Sequence, residues 1–334
     1  MAPPFCVMLY NEFYVIESLV SAQFKTRLPF SSAASTLTYK ASYEMHHILR
    51  IFPQSLFIFF CISVVLPSVA FGFDIYVETN FKGQPDFEKY GLKDGSTHLG
   101  AIYETNMFGK GRGPQHQFLP PKERVIEFTT RKYANYIGLF VADIESWALT
   151  GSDKKVSDNV KKYLTVLEWI KSAAPKATVG YYGKPPIANY SATQKGQDHK
   201  KYQNWQRNND RIAPLANAVD ILFPSLYPVN ENRDGWVRYA IGQISEARRL
   251  GKGKKVYPFI NPRYHSRARN KFGLDLAFDP VPQDYFLLQL KTLKQYADSV
   301  VIWDWSGRPW NEQEPWWRAT LEFLASESSL PNNP

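Results

Sequence analysis

The chain has 334 residues, 44% of them hydrophobic and 15% aromatic, ample for the large packed core of a single α/β-barrel domain. Its only cysteines, Cys6 and Cys61, lie upstream of Ala70, so residues 71–334 exclude a cysteine nucleophile and a thiolate metal site. Those residues carry 36 Lys and Arg against 28 acids, a surplus that suits a polyanionic partner without naming one.

Residues 1–44 lack sustained periodicity, hold few charges and read as an unstructured upstream extension. From Met45 the pattern sharpens. "MHHILR" supplies the basic group Arg50, "SLFIFFCISVVL" an apolar run, and "PSVAFG" the small residues Ser68 and Ala70. Residues 45–70 therefore read as a secretory signal cleaved near Ala70, which places residues 71–334 outside the cell or in a periplasm. A membrane anchor is the competing reading. The run is short against the roughly 20 residues a span needs, and Pro53 and Pro67 bracket it, so no stable membrane association is expected.

Seven short apolar, β-rich segments follow: 73–79, 98–105, 136–143, 177–183, 219–227, 255–261 and 299–305. Amphipathic stretches of helical length separate the later ones. In "SDNVKKYLTVLEWIKSAA", Val160, Tyr163, Leu164, Leu167 and Ile170 share one face, and Ser157 or Asp158 suits the N-cap. "GWVRYAIGQISEARRL" and "PQDYFLLQLKTLKQYA" behave alike. Strand alternating with helix, without a phosphate-binding glycine motif, predicts one closed TIM-like (β/α) barrel of about seven parallel strands over 71–334.

Such barrels place their chemistry at the C-terminal strand ends. Here those ends carry Asp143 and Glu145 with Trp147, Tyr181 and Tyr182, Ser225 and Tyr227, Arg263 and Tyr264, and Trp303 and Trp305. Flat aromatic faces beside acids suit a sugar-binding cleft. Asp143 and Glu145 stand at i and i+2 at the end of the apolar run "YIGLFVAD", so both project to the same side. Two carboxylates in one confined place resist double ionisation, and a retained proton is what the departure of a sugar alkoxide requires. Neighbours that point in parallel do not easily flank one glycosidic bond from opposite faces. They suit a route in which the substrate's own 2-acetamido oxygen attacks the anomeric carbon.

Four segments in register with this strand rhythm, "VADIESW", "VGYYGKP", "DILFPSLY" and "SVVIWDW", resemble the hyaluronidases of glycoside hydrolase family 56. "FDIYVET", "EKYGL" and "AIYETNMFG" are weaker echoes of the same family. The resemblance implies a distorted seven-stranded barrel with no metal or organic cofactor, acting as a retaining endo-β-N-acetylhexosaminidase. It implies that Glu145 is general acid and then general base, and that Asp143 holds the acetamido nitrogen and raises the proton affinity of Glu145. Tyr227 would hydrogen-bond the acetamido group, Tyr182 would sit near the reacting sugar, and Trp303 would wall the N-acetyl pocket. The chain departs from the family in lacking cysteines beyond Ala70, in the shortened region between its second and third strands, and in the loosely matching "VYPFINPRYH".

The basic loop "NPRYHSRARNK" leaves the sixth strand at the same end, so Arg263, with Arg267, Arg269 and Lys271, is expected to attract the carboxylates of an anionic glycosaminoglycan. "HKKYQNWQRNNDR" interleaves bases with aromatics, but a helix face explains it better than nucleic acid. His98, His116, His199 and His265 show no metal-ligand spacing. Trp147 reads as support for the strand end, Trp316 and Trp317 as helix packing, and "NYS" at Asn189 as a glycosylation sequon in a eukaryotic secretory pathway. The expected protein is a monomeric glycan hydrolase. Chitin- or peptidoglycan-like substrates and a non-catalytic glycan-binding barrel remain the alternatives.

Overall fold

Apolar runs buried almost throughout, as at 139–143 and 299–304, give parallel strands whose inward side chains pack together. The computed structural model describes residues 72–109 and 113–328; the extension (1–44) and the signal segment (45–70) lie outside the described residues. The strands are β1 (Asp74–Thr79), β2 (Lys93–Asp94), β3 (Leu99–Tyr103), β4 (Leu139–Asp143), β5 (Thr178–Tyr181), β6 (Phe259–Ile260) and β7 (Ser299–Asp304). They pair in parallel in two sheets, ordered β2-β1-β7-β6 and β3-β4-β5.

The expected strand 219–227 joins these sheets through single bridges, Tyr182 to Phe223 on one side and Leu222 to Val256 and Ser225 to Phe259 on the other. Its ladder is broken because Pro224 and Pro258 have no N–H to donate, and for the same reason β6 shrinks to two residues. The ladder stays open between β2 and β3, which the short helix Gly95–His98 connects. The result is a distorted TIM-like barrel. Leu99, Val141, Phe223, Phe259 and Val301, with Tyr76, Tyr182, Tyr227 and Trp303 packed on them, draw its interior from strand after strand around the ring.

Helices cover the outer faces. The longest are α1 (Lys122–Tyr133), α2 (Asp153–Ala173), α3 (Lys200–Asp210), α4 (Arg233–Gly251), α5 (Gln283–Tyr296) and α6 (Pro315–Ser328). None of the described helices is long and apolar enough to cross a membrane. In α2 the face formed by Val160, Tyr163, Leu167 and Ile170 is buried as expected, while Leu164 is only partly covered. The helix starts a turn earlier than its composition suggests. Ser152 rather than Ser157 or Asp158 is the N-cap, accepting from the Lys155 amide, so α2 gains the buried Val156. The basic stretch 199–211 folds as α3 with Tyr202 and Trp205 buried, which makes it a helix face. Trp316 and Trp317 are buried in α6 against Phe81, Phe87 and Trp310.

Candidate active site

Register brings the C-terminal strand ends together in pairs: Tyr103 of β3 lies beside Asp143 of β4, and Glu78 of β1 beside Trp303 of β7. Asp143 closes β4 and Glu145 follows two residues on. Ile144 between them is buried in the barrel–helix core. Both acids therefore face the barrel mouth, as their spacing requires.

A cavity of about 340 Å³ opens there, and Asp143, Glu145, Tyr182, Tyr227 and Trp303 all line it. Tyr227 lies between the other two aromatics: its ring is 6.3 Å from Trp303 in a near-parallel stack and 5.9 Å from Tyr182. The Tyr182 hydroxyl shares a 3.0 Å hydrogen bond with Ser225. Burial pushes both phenols well above their ordinary value of 10, so they stay neutral and able to donate. A second lobe of about 480 Å³ continues from the first, sharing Tyr103, Asp143, Glu145 and Trp303 and adding Glu104, His116 and Trp305. The acid pair thus sits where two lobes of one cleft meet.

The turn that carries Glu145 is held from below. The Glu104 carboxylate, at the end of β3, accepts from the Glu145 amide at 3.1 Å, the Ser146 amide at 2.8 Å and the Ser146 hydroxyl. His116 lies 3.7 Å from the other Glu104 oxygen, and its carbonyl accepts from the Trp147 indole at 2.7 Å. The Ile144 carbonyl accepts from Lys184 and from Tyr163, each at 2.8 Å. Burial lowers the Lys184 ammonium, an effect opposed by Asp143, Glu145 and Glu104. Trp147 supports the strand end, as its place in the sequence suggests.

Arg263 departs from expectation. It does not line either lobe. Its side chain is 11% exposed, bonded to Glu314 at 2.9 Å and 3.7 Å from Asp304. A largely buried guanidinium needs paired carboxylates, and Glu314, just ahead of α6, and Asp304 of β7 supply them, so Arg263 pins the base of the loop it was expected to arm. Arg269 pairs with Asp275 at 2.7 Å. Arg267 and Lys271 remain exposed. The same loop delivers His265, Ser266 and Phe278 to the cavity wall. Burial and then Arg267 lower the His265 ring, against a raising influence from Glu145.

Five residues at the site carry no individual role in the sequence reading: Glu78, Glu104 and Trp305, which fall within its strand segments, and His116 and His265. Glu78 and Glu104 each stand one residue before the end of an expected strand, so acids near strand ends were the available signal. His116 and His265 come from loops and carry no such mark. Among the described residues, no group of His, Cys, Asp and Glu is arranged to hold a metal ion.

Fold and site together define a (β/α) barrel with an acid pair in an aromatic cleft at the C-terminal strand ends. No family model matches the chain. It is similar to a hyaluronidase of Polybia paulista, 25% identical over 163 residues that cover 47% of this chain and 54% of that protein. It is also similar to a hyaluronidase of Polistes annularis, 24% identical over 179 residues, 52% of this chain and 47% of that protein. The chain spans about half the length of these curated relatives. Among solved structures it resembles bee venom hyaluronidase, with a TM-score of 0.55 at 16% identity over 77% of this chain and 97% of that one. Bee venom hyaluronidase in complex with a hyaluronic acid tetramer gives a TM-score of 0.53 at 17% identity, with the same coverage. The chain is a relative of the hyaluronidase family.

Proposed function

We propose that the chain is a hyaluronidase-like glycoside hydrolase that cleaves an N-acetylated glycosaminoglycan, hyaluronan or a close analogue, with retention and with help from the substrate. The carrying observation is the position of Asp143 and Glu145 on the boundary of both lobes, beside Tyr182, Tyr227 and Trp303. In the first step the Glu145 carboxyl gives its proton to the glycosidic oxygen as the bond from that oxygen to the anomeric carbon breaks. The acetamido carbonyl oxygen forms the new bond to that carbon. Asp143 accepts from the acetamido N–H and balances the positive charge of the resulting oxazolinium ring. Water then attacks the anomeric carbon, the Glu145 carboxylate takes its proton, and the ring opens to restore the acetamide. Tyr227, a buried neutral phenol, donates to the acetamido oxygen. Tyr182 and Trp303 bound the pocket that holds the ring.

Arg267 and Lys271, exposed on the loop that delivers His265 and Ser266 to the cavity, support an anionic polymer over neutral chitin. The signal-like segment 45–70 supports export, and the barrel is expected to act as a monomer. Reducing-end release from hyaluronan, chondroitin and chitin oligomers tests the proposal. Hydrolysis of the first two by the native chain, and a drop of at least about 100-fold in Glu145→Gln, is the expected result. Equal rates in both proteins would refute the acid assignment. Binding without cleavage by the native chain would make it a glycan-binding barrel.

A further inference from the structure

Trp305 is oriented against the usual habit of its residue type. A half-buried tryptophan ordinarily buries its carbon surface and leaves the indole N–H to water. Here the N–H points inward and donates to Glu78 Oε1 at 3.2 Å, while the residue stays 50% exposed. The only polar atom of the side chain is thereby engaged, and what faces the cleft is chiefly ring carbon. Glu78 is itself 8% exposed and fixed on β1, and Gly95 makes room for it: a Cβ there would meet Glu78 Oε2. Tyr103 braces the indole at 6.1 Å between ring centroids. A rigid apolar face beside two carboxylates has no account in the fold alone, since the chain could bury it against its own core.

We infer that Trp305, oriented by Glu78, is a stacking platform for a pyranose ring of the substrate in the second lobe, next to the sugar held by Tyr227 and Trp303. This inference rests on the glycan-hydrolase reading above. The lobe that Trp305 lines shares the acid pair with the deeper one, so a chain crossing Asp143 and Glu145 lays its next ring there. The carbon-bound hydrogens on one face of a pyranose match the π face of an indole, and the ring's hydroxyls stay free at its edge. Trp305 is then a substrate-binding residue, and Glu78 a positioning residue that acts through it.

Calorimetric titration with a hyaluronan hexasaccharide in the Glu145→Gln protein, where cleavage is suppressed, measures this platform directly. Adding Trp305→Ala is expected to weaken affinity by roughly 3- to 10-fold, while Trp305→Phe retains most of it. Glu78→Ala should weaken binding part of the way, and Glu78→Gln, which keeps an acceptor for the indole, should restore it. In the otherwise native chain Trp305→Ala should raise KM by a similar factor and leave kcat within about twofold. Unchanged affinity and KM in a folded Trp305→Ala protein would overturn the platform, and so would equal effects of Glu78→Ala and Glu78→Gln. If Trp305→Ala does not fold, the Phe variant and the two Glu78 variants decide. Full activity of Glu145→Gln would refute the acid assignment instead, binding without cleavage by the native chain would sink the hydrolase reading, and loss of binding in Trp305→Ala would still hold in either case. A hexasaccharide that does not bind at all overturns both.

Discussion

At the scale of single residues, Glu78 carries the clearest pH signature. Burial lifts its carboxyl from the ordinary 4.5 to about 7, the Trp305 hydrogen bond opposes the lift, and Asp94 adds to it. Between those values the unfolded chain has released a proton that the native chain keeps. The contribution of Glu78 to stability is therefore complete below pH 4.5 and is lost as pH rises through about 7, by an amount on the order of 3 kcal/mol. Urea unfolding at pH 5 and pH 8 should show Glu78→Gln gaining on the native chain at the higher pH. A difference between the two proteins that does not change with pH would contradict this. The same scale shows what one sequence can reveal. The spacing of Asp143 and Glu145 was legible because period two is built into any strand. The fate of Arg263 was not, because its partners Glu314 and Asp304 lie 51 and 41 positions away and only the fold brings them close. A charge can be read from a chain; what neutralises it often cannot.

At the scale of elements, close approach governs more than propensity does. Gly180 of β5 sits where a Cβ would lie 2.5 Å from the Ile221 carbonyl oxygen and 2.8 Å from the Phe223 ring. The carbonyl belongs to the backbone of the next strand position and cannot rotate away. Gly180→Ala should therefore destabilise the barrel by about 1–3 kcal/mol, seen as a lower thermal midpoint, whereas a free cavity would leave it unchanged. The alternation of apolar strand and amphipathic helix exposed every strand position in advance except the two-residue β2, Lys93–Asp94, which carries no apolar run. Strand lengths were less legible. Pro224 and Pro258 stand in runs that otherwise read as continuous strand, and their missing donors cut the ladder to isolated bridges. The start of α2 was misjudged for a similar local reason: Ser152 and Ser157 are both good caps, and burial of Val156 decides between them.

At the scale of the whole molecule, the barrel converts residues far apart in sequence into one cleft, with strand ends as floor and loops as walls. The floor was legible because strand ends are fixed by rhythm. The walls, including His116, His265 and Phe278, come from loops whose paths depend on distant contacts such as the one between Arg263 and Glu314. What this architecture is proposed to do rests on a division of labour in which Glu145 moves the proton, Asp143 steadies the amide, and the sugar supplies the nucleophile. Replacing the N-acetyl groups of a hyaluronan hexasaccharide by N-trifluoroacetyl groups weakens only the last of these. The most direct measurement compares kcat/KM for the two oligosaccharides. A fall of at least about 100-fold for the fluorinated one is expected, since the attacking oxygen is already in place and its electron density sets the rate. Equal values would show that the acetamide takes no part in bond breaking and would contradict the account.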